Sequence, residues 1–411
     1  MKILLVNWSW YPSGGDWTYV QNIQKIYELH GHEVIPFSTN NEKNFPSPYS
    51  GYFVNSYDFK QLNRKKTLGN GIKAVKTSVV SQDAIRKLNS LLDTYDIKVA
   101  HLHNIHHYIT PAIIEVLSKR KIKILWTLHD YKIICPENSF VSNGRICENC
   151  INGSFYHCFL QKCKKNSFLA SGLAAFEAYY YHKKNVYSLV DYFLCPSNFL
   201  QKKFIESGIE KSKLVETNLC YDISLIDDYL KNQKTEIQKK EKYILYIGRL
   251  EKIKGINTLI KAVEGTDIKL RIVGTGTEEQ NLKNLMRGQQ GNNIDLLGFK
   301  NRDEVFELIN GSLFSVCPSE WYENLPYSVA EVLLFSKPVV GSNIGGIPEL
   351  IKHRTTGLLF KAGDVSDLRE KLLEMWNNEE LVAELGRNGR AHAYNLYNFD
   401  THWTKIQAFL N

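Results

Sequence analysis

The chain has 411 residues, of which 43% are hydrophobic and 23% are charged, an ordinary composition for a soluble globular protein of two or three domains. This composition excludes a disordered chain, a collagen-like repeat and a bundle of membrane helices. The formal net charge is +8 and it is uneven, because residues 1–220 carry 27 basic and 17 acidic side chains, whereas residues 221–411 carry 24 and 26. We therefore expect the first half to have an anionic partner, either an acidic membrane or a phosphorylated substrate.

Nucleic acid is not expected as the partner, since no run of five adjacent Lys or Arg residues occurs. The apolar run at 3–6 is too short for a signal peptide, and the charge-free stretch 166–176 is about half of the ~20 residues that a spanning helix needs. We therefore expect a cytoplasmic protein. In that reducing compartment the eight cysteines are expected to be thiols or metal ligands.

Strand and helix patterns alternate along the chain. In the first half, strands are predicted at 2–7, 32–37, 99–102, 122–128 and 192–195, and a helix at 17–29. In the second half, strands are predicted at 243–247, 269–273, 294–297, 315–318 and 338–341, and helices from 256, from 328, at 367–376 and at 380–397. Apolar strands joined by helices are typical of parallel sheets buried on both faces.

The polar stretch 231–242 is the best candidate for a linker between two such sheets. The predicted fold is therefore α/β, with two doubly wound Rossmann-like domains that face a central cleft. The first domain is expected at 1–222 with a Cys-bearing insert at 135–165, and the second at 223–390. A terminal helix at 391–411 is expected to return to the first domain. Ligands of such sheets bind beyond the carboxyl ends of the strands.

Gly248, Arg249 and Lys254 lie between a predicted strand and a predicted helix. Arginine offers a planar fork to phosphate oxygens, lysine offers a point charge, and the helix N-terminus adds backbone N–H donors. Together these groups would hold a diphosphate without a metal. A solvated loop with two surface cations is the alternative.

Glu323 and Glu331 are eight residues apart, the first beside a loop at 324–326 and the second in the predicted helix. Two such carboxylates can each accept hydrogen bonds from a polyhydroxylated ligand. A helix N-terminal Glu and an exposed Glu are the alternative. Gly274-Thr275-Gly276 is followed by Glu279 rather than a third small residue, so a dinucleotide fingerprint is not favoured.

Three groups of residues come in the order and spacing of the retaining glycosyltransferases of family 4, which have the GT-B fold. These are 248–255 with Arg249 and Lys254, the pair Glu323 and Glu331, and the Gly-Gly-Ile-Pro-Glu run at 345–349. Gly14-Gly15 after the first strand fits as well, and the chain resembles the family over essentially its whole length.

The resemblance implies a role for each matching residue. Arg249 and Lys254 bind the donor diphosphate and stabilise the leaving group, Glu323 contacts donor-sugar hydroxyls, Glu331 holds the ribose and Phe299 lies at the base. Further donor contacts are implied for Gly14, Gly15, Gly248, Asn324 and Leu325. Many members have Gly where this chain has Asn324, and this leaves the sugar preference open. No Asp-x-Asp pair occurs, which fits catalysis without a metal cofactor.

His129 ends a predicted strand, and the resemblance gives it contact with the transferred sugar. Without the family, a structural His at a strand end is the alternative. The run His-Leu-His-Asn-Ile-His-His at 101–107 favours acceptor binding or packing over a metal site.

Cys147, Cys150, Cys158 and Cys163 fall within 17 residues and could complete a tetrahedral structural zinc site, with Cys135 as an alternative ligand. Free buried thiols are the alternative. The segment 167–187 is apolar and aromatic. Five lysines flank or end it: Lys162, Lys164, Lys165, Lys183 and Lys184. It could lie on an anionic bilayer, peripherally on the inner face of the plasma membrane, or it could be a long helix packed on the sheet.

The sequence predicts a retaining, metal-independent glycosyltransferase of surface polysaccharide synthesis. It would move a sugar from a UDP- or GDP-sugar to a glycan or a lipid-linked acceptor. The alternatives are another GT-B enzyme, such as a nucleotide-sugar epimerase, and a non-catalytic, basic, zinc-stapled nucleic-acid binder. That binder would leave Glu323 and Glu331 without a role.

Overall fold

A computed structural model describes residues 1–55, 78–106, 108–232, 241–287 and 293–410. The chain forms two compact units. The first unit comprises Met1–Asn143, Cys147–Tyr221 and His402–Asn411, and the second comprises Gly144–Ile146 and Asp222–Thr401. The return to the first unit thus begins at 402, whereas the sequence-based expectation placed it at 391. Most of the expected linker, 233–240, lies outside the described residues.

The first half of the chain contains ten described strands. They are β1 (Lys2–Val6), β2 (Glu33–Phe37), β3 (Thr39–Asn40), β4 (Val54–Asn55), β5 (Ile97–Leu102), β6 (Lys123–Thr127), β7 (Val141–Ser142), β8 (Arg145–Ile146), β9 (Tyr192–Cys195) and β10 (Leu214–Glu216). Six of them form a parallel sheet in the order β10-β9-β6-β5-β1-β2. Because β1 lies between β5 and β2 and its residues 3–6 are fully buried, its apolar run is continuous rather than alternating.

Six described α-helices accompany these strands. They are α1 (Gly15–Leu29), α2 (Gln82–Thr94), α3 (Ala112–Lys119), α4 (Tyr156–Leu160), α5 (Phe168–Lys183) and α6 (Asn198–Glu206). Ser81, Ser167 and Ser197 cap α2, α5 and α6 by accepting a backbone N–H bond three residues on. Across the part of the chain that the structure describes, no helix combines the length and the apolar character that a membrane crossing requires.

The second unit has six strands in the described residues of 222–401. They are β11 (Ile244–Ile247), β12 (Leu270–Val273), β13 (Ile294–Gly298), β14 (Ser315–Cys317), β15 (Val339–Ser342) and β16 (Gly357–Phe360). They form a parallel sheet in the order β13-β12-β11-β14-β15-β16. The switch in strand order at β11 and β14 places the loops after these two strands at one point of the sheet edge, where such folds bind ligands.

The remaining α-helices lie before, between or after these strands. They are α7 (Ser224–Asn232), α8 (Ile256–Val263), α9 (Glu279–Arg287), α10 (Arg302–Gly311), α11 (Tyr327–Leu334), α12 (Ile347–Leu350), α13 (Val365–Trp376), α14 (Glu379–Tyr397) and α15 (Phe399–Ile406). The predicted α/β fold with two parallel-sheet, Rossmann-like domains is confirmed. The predicted strands are present with bounds shifted by one or two residues, as at β5, which begins at 97 rather than 99.

Candidate functional site

The loop after β11 brings Lys254 against the loop after β14. A short 3₁₀ turn at Lys252–Lys254 ends in Gly255, whose φ of 69° is left-handed. A Cβ atom at this position would overlap the carbonyl oxygen of Pro318, so only glycine allows this approach. The backbone N–H of Glu320 donates to the carbonyl of Ile253 at 2.8 Å, and this bond joins the two loops.

Lys254 and Glu323 form a buried ion pair between these loops. Nζ of Lys254 lies 2.6 Å from Oε1 of Glu323, and the two side chains are 16% and 8% exposed. Ser319 Oγ donates to the same carboxylate oxygen at 2.6 Å. Burial raises the pKa of Glu323, but the Lys254 ammonium and the Ser319 hydrogen bond lower it more, so the net pKa is below the ordinary value. Glu323 is therefore a carboxylate at neutral pH and can accept hydrogen bonds.

A glycine pair packs against the backbone of Glu323. A Cβ atom on Gly346 would overlap the carbonyl oxygen of Asn324, and the N–H of Gly346 donates to the carbonyl of Glu323 at 2.8 Å. Ser342, at the end of β15, donates its hydroxyl to the carbonyl of Ser319 at 2.6 Å. The end of β15 and the loop after it thus fix the backbone of the loop that carries Glu323.

Arg249 lies on the same loop as Lys254 but has a different partner. Its Nη1 is 2.8 Å from Oε1 of Glu251, and its side chain is 64% exposed. The structure therefore places Arg249 after β11, as predicted, on the exposed side of the loop. A planar fork held beside solvent can exchange its carboxylate partner for an incoming anion at small desolvation cost.

The other residues predicted for this site come from two neighbouring elements. Glu331 lies in the middle of α11 and is half-buried. Asn324 and the buried Leu325 precede that helix. Phe299 directly follows β13 and is 77% exposed. An aromatic face so open to solvent is the kind of surface on which a planar ring can stack.

In the first unit, the half-buried His129 follows β6 and contacts a set of buried aromatic and imidazole groups that includes His103 after β5 and Tyr19 on α1. Its Nε2 lies 3.0 Å from Nδ1 of the buried His103. The Tyr19 ring makes edge contacts with the His129 ring at 5.3 Å. Burial lowers the pKa of His129, and Asp16 offsets this only in part. His129 is therefore neutral at pH 7, with one donor and one acceptor nitrogen.

Gly14 and Gly15 lie where the sequence predicted, between β1 and α1. Gly14 precedes the helix and Gly15 is its first residue. The following residue, Asp16, accepts a hydrogen bond from Asn104 at 2.9 Å and from the Trp8 indole at 3.3 Å. These bonds connect the start of α1 to the end of β5.

The same set of groups binds residues 402–411, the C-terminal segment of the first unit. His402 lies on α15, where its Nε2 is 3.0 Å from the Tyr19 hydroxyl and its Nδ1 is 3.2 Å from the carbonyl oxygen of Thr217. His402 is fully buried, and burial lowers its pKa to about 3. Sequence inspection did not single out His402 or Tyr19, because residues almost 400 positions apart carry no local pattern that links them.

All eight cysteines are free thiols. Cys150 and Cys158 are buried in a small cluster with Phe155, while Cys163 is half-buried against it. A hydrogen bond from Cys158 is the main cause that lowers the pKa of Cys163.

Cys147 lies 3.5 Å from the Gln161 side-chain oxygen. Within the described ranges, no group of three or more His, Cys, Asp or Glu side chains is arranged to hold a metal ion. The zinc site expected at the four cysteines stays a prediction, which metal analysis of freshly purified protein would test.

Three residues near the candidate site were not found from the sequence. Ser319 follows β14, the element type after which ligand residues were expected, and this position could have revealed it. Glu251 lies within the run 248–255 and Trp321 lies two residues before Glu323, but their contacts with Arg249 and Lys254 depend on side-chain direction. The Lys254 ammonium lies 5.1 Å from the centre of the Trp321 ring.

Sequence comparison relates the second half of the chain to a known family. Residues 228–392 match the family model of the glycosyl transferases group 1. An uncharacterized glycosyltransferase of Methanocaldococcus jannaschii is 31% identical over 187 residues, covering 41% of this chain and 53% of that protein. The capsular polysaccharide biosynthesis glycosyltransferase CapM of Staphylococcus aureus is 25% identical over 233 residues, covering 52% and 60%. The chain spans about half the length of the first curated relatives that it matches.

Solved structures resemble the whole chain. The sucrose-phosphate synthase of Thermosynechococcus elongatus has a TM-score of 0.71 at 16% identity and covers 99% of this chain and 97% of that one. HepE from Anabaena, in complex with UDP, has a TM-score of 0.61 at 19% identity and covers 100% and 99%. The chain thus has the GT-B fold of these proteins, and its residues 228–392 match the glycosyl transferases group 1 in sequence.

Proposed function

We propose that the protein is a retaining glycosyltransferase that moves a sugar from a nucleotide-diphosphate donor to a glycan or lipid-linked acceptor in surface polysaccharide synthesis. The observation that carries this proposal is the buried Lys254–Glu323 pair, which lies beyond the strand ends of the unit that matches the glycosyl transferases group 1. The capsular relative from S. aureus supports the polysaccharide context.

The donor diphosphate is assigned to the loop after β11. Lys254 would supply a fixed positive charge. Arg249 would exchange its ion pair with Glu251 for hydrogen bonds to phosphate oxygens. The N-terminus of α8 would add backbone N–H donors. As the bond to the sugar breaks, negative charge grows on the leaving diphosphate, and prearranged cations stabilise it. We propose that these two side chains take the place of a divalent cation, so that transfer needs no metal in the site.

The nucleoside and the sugar are assigned to residues around this loop. Glu323, ionised and held by Lys254 and Ser319, would accept hydrogen bonds from donor-sugar hydroxyls. Glu331 would hold the ribose hydroxyls, and the exposed Phe299 ring would stack on the base. The UDP in the similar structure of HepE supports a uridine or related nucleotide as the donor carrier.

The acceptor is assigned to the first unit, with His129 as its contact to the transferred sugar. A neutral imidazole can donate to a sugar hydroxyl without placing a positive charge beside a developing oxocarbenium ion. His103 would orient that ring through the 3.0 Å contact between their nitrogens. We assign no covalent nucleophile.

Turnover of purified variants with a panel of UDP- and GDP-sugars tests the proposal, first as slow donor hydrolysis and then with glycan acceptors. Arg249→Ala and Lys254→Ala should each lower turnover about 100- to 1,000-fold, which corresponds to about 3–4 kcal/mol of lost transition-state stabilisation. Lys261→Ala, at an exposed lysine of the adjacent helix α8, is the matched control and should keep full activity.

Activity that survives removal of Arg249 and Lys254 would refute the diphosphate assignment. Transfer that EDTA-treated protein loses and Mg²⁺ or Mn²⁺ restores would refute metal independence while leaving the family assignment intact. A panel in which no nucleotide sugar is hydrolysed or transferred would refute the proposed function.

A further inference from the structure

Helix α5 is apolar on both of its faces. Its inner face packs Ala174, Ala175 and Ala178 against Phe155 in a buried cluster. Its outer face carries large apolar side chains in the open, of which Leu169 is 89% exposed. A helix that is apolar all round is normally enclosed by protein or by lipid. The apolar side chains on the outer face of α5 are therefore exposed where such side chains are normally packed against protein or lipid.

The neighbouring helix α4 extends this outer face. Phe159 packs its ring 5.2 Å from that of Phe168 and covers Gly172 on α5. We call the resulting patch the aromatic surface. Its members are Tyr156, Phe159, Leu160, Phe168, Leu169, Phe176 and Tyr179. These are seven of the 16 exposed large hydrophobic side chains in the described residues. Besides the Phe159–Phe168 contact, the Tyr156 backbone N–H donates to the Tyr179 hydroxyl at 3.2 Å, so the two helices that carry them are joined at both ends of the patch.

The segment that carries the aromatic surface is basic. Residues 149–184 contain five lysines and one carboxylate, Glu177. Glu177 is buried and pairs with Lys132 at 3.1 Å, so it does not face the surface. Lys184 pairs with Glu115, also at 3.1 Å. Lys164 is half-buried.

Three further lysines belong to the segment 149–184: Lys162, Lys165 and Lys183. The Lys162 ammonium lies 4.4 Å from the centre of the Phe168 ring, directly beside the patch. Lys165 and Lys183 are exposed.

We propose that the aromatic surface lies on an anionic lipid bilayer, with its apolar side chains at the boundary of the acyl chains and the three lysines on lipid phosphates. Tyr156 and Tyr179 suit this position, because their rings are apolar and their hydroxyls are polar. A second copy of the chain fits less well, since a twofold interface would bring two copies of the same lysine-bearing patch together. The proposal is independent of the proposed function, because it rests only on exposure and charge in the first unit.

Co-sedimentation of the full chain with vesicles tests this inference. Vesicles of phosphatidylcholine with 30 mol% phosphatidylglycerol should bind the protein at low salt, and pure phosphatidylcholine should bind it weakly. Each lysine near an anionic surface contributes about fivefold in affinity, and salt screens this attraction within ~10 Å at 0.1 M. The triple variant Lys162→Gln, Lys165→Gln and Lys183→Gln should therefore bind about 100-fold more weakly.

A second variant tests the apolar part. Leu169→Gln with Phe176→Gln should release the protein at all salt concentrations, and thermal unfolding should be little changed because both side chains are exposed. The matched control is Lys43→Gln, Lys119→Gln and Lys202→Gln, at exposed lysines elsewhere in the same unit, which should keep binding within about threefold.

Three outcomes would overturn the proposal. The first is no binding to the anionic vesicles at low salt, and the second is binding that neither surface variant weakens. The third is a concentration-dependent dimer in analytical ultracentrifugation that Leu169→Gln with Phe176→Gln abolishes, because the surface would then join two copies of the chain.

Discussion

Lys254 and Glu323 form an ion pair whose side chains are only 16% and 8% exposed. Removing the lysine leaves a buried carboxylate without its partner, so we expect Lys254→Met to lower the free energy of unfolding by about 3–5 kcal/mol. Removing the remaining charge in the double variant Lys254→Met with Glu323→Gln should recover most of that loss. Urea unfolding of the three proteins measures both effects.

The exposed Lys261 provides the matched control for this cycle, since Lys261→Met should change the free energy of unfolding by less than about 0.5 kcal/mol. Additive losses in the double variant would contradict the coupling. A carboxylate whose pKa is held down by Lys254 would not behave in that way.

The conformation of the loop after β11 depends on a single residue, Gly255. Gly255 and Gly265 have nearly the same left-handed backbone, with φ of 69° and 72°, but only Gly255 faces another backbone at close range. Gly265→Ala should therefore cost about 1 kcal/mol from backbone strain alone. Gly255→Ala should cost about 1–3 kcal/mol more and should displace Lys254, because the loops after β11 and β14 must separate.

Thermal unfolding and nucleotide titration of the two alanine variants test this difference. Nucleoside diphosphate binding should fall for Gly255→Ala and should persist for Gly265→Ala. Equal effects of the two substitutions would show that the close approach to Pro318 does not matter.

Helix α15 is held to the first unit through a histidine that remains neutral. The pKa of His402 is about 3 in the folded chain and about 6.5 when unfolded, so as pH falls the unfolded chain takes up the proton first. Stability is therefore complete above about pH 6.5 and is lost progressively toward pH 3. At pH 5 this single group should cost about 2 kcal/mol relative to pH 7.

Unfolding measured at pH 7 and pH 5 tests this titration. The variant His402→Gln should lose about 2 kcal/mol of the pH-dependent change. Tyr19→Phe removes the hydrogen bond but keeps the imidazole, so it should lower stability at both pH values without removing the difference. An unchanged pH dependence in His402→Gln would mean that His402 does not drive it.

Strands were the most predictable elements, because a parallel strand buried on both faces reads as a continuous apolar run, as in β1 and β11. The positions of Arg249, Lys254 and Glu323 after strands followed from the same pattern. Their partners did not follow, since the pairing of Lys254 with Glu323 and of Arg249 with Glu251 depends on loop geometry set by Gly255 and by contacts far apart in sequence. Long-range contacts such as His402 with Tyr19 leave no periodic signal.

At the scale of the whole molecule, a nucleotide that binds only the second unit should stabilise only that unit. A ligand at 100 times its dissociation constant adds about 2.7 kcal/mol to the free energy of unfolding. We therefore expect UDP or GDP to slow amide hydrogen exchange in the loops after β11, β13 and β14, and to leave β5, β6 and α5 unchanged. Duplex DNA should produce no protection in either unit.

Hydrogen exchange followed by mass spectrometry resolves these segments. Protection confined to the first unit would move the nucleotide site away from Lys254 and Glu323. Protection by DNA but not by nucleotides would favour a nucleic-acid binder.

The first unit recruits residues 402–411 from beyond the entire second unit in the chain. A ribosome makes proteins from the N-terminus, and the buried side chains of His402 and Ile406 therefore emerge only after the whole second unit. Until then Tyr19 and Thr217 lack the imidazole that they contact in the finished protein. The unit that is begun first is thus completed after the second unit has been synthesised, so a nascent chain stalled before residue 402 should hold an unfinished first unit.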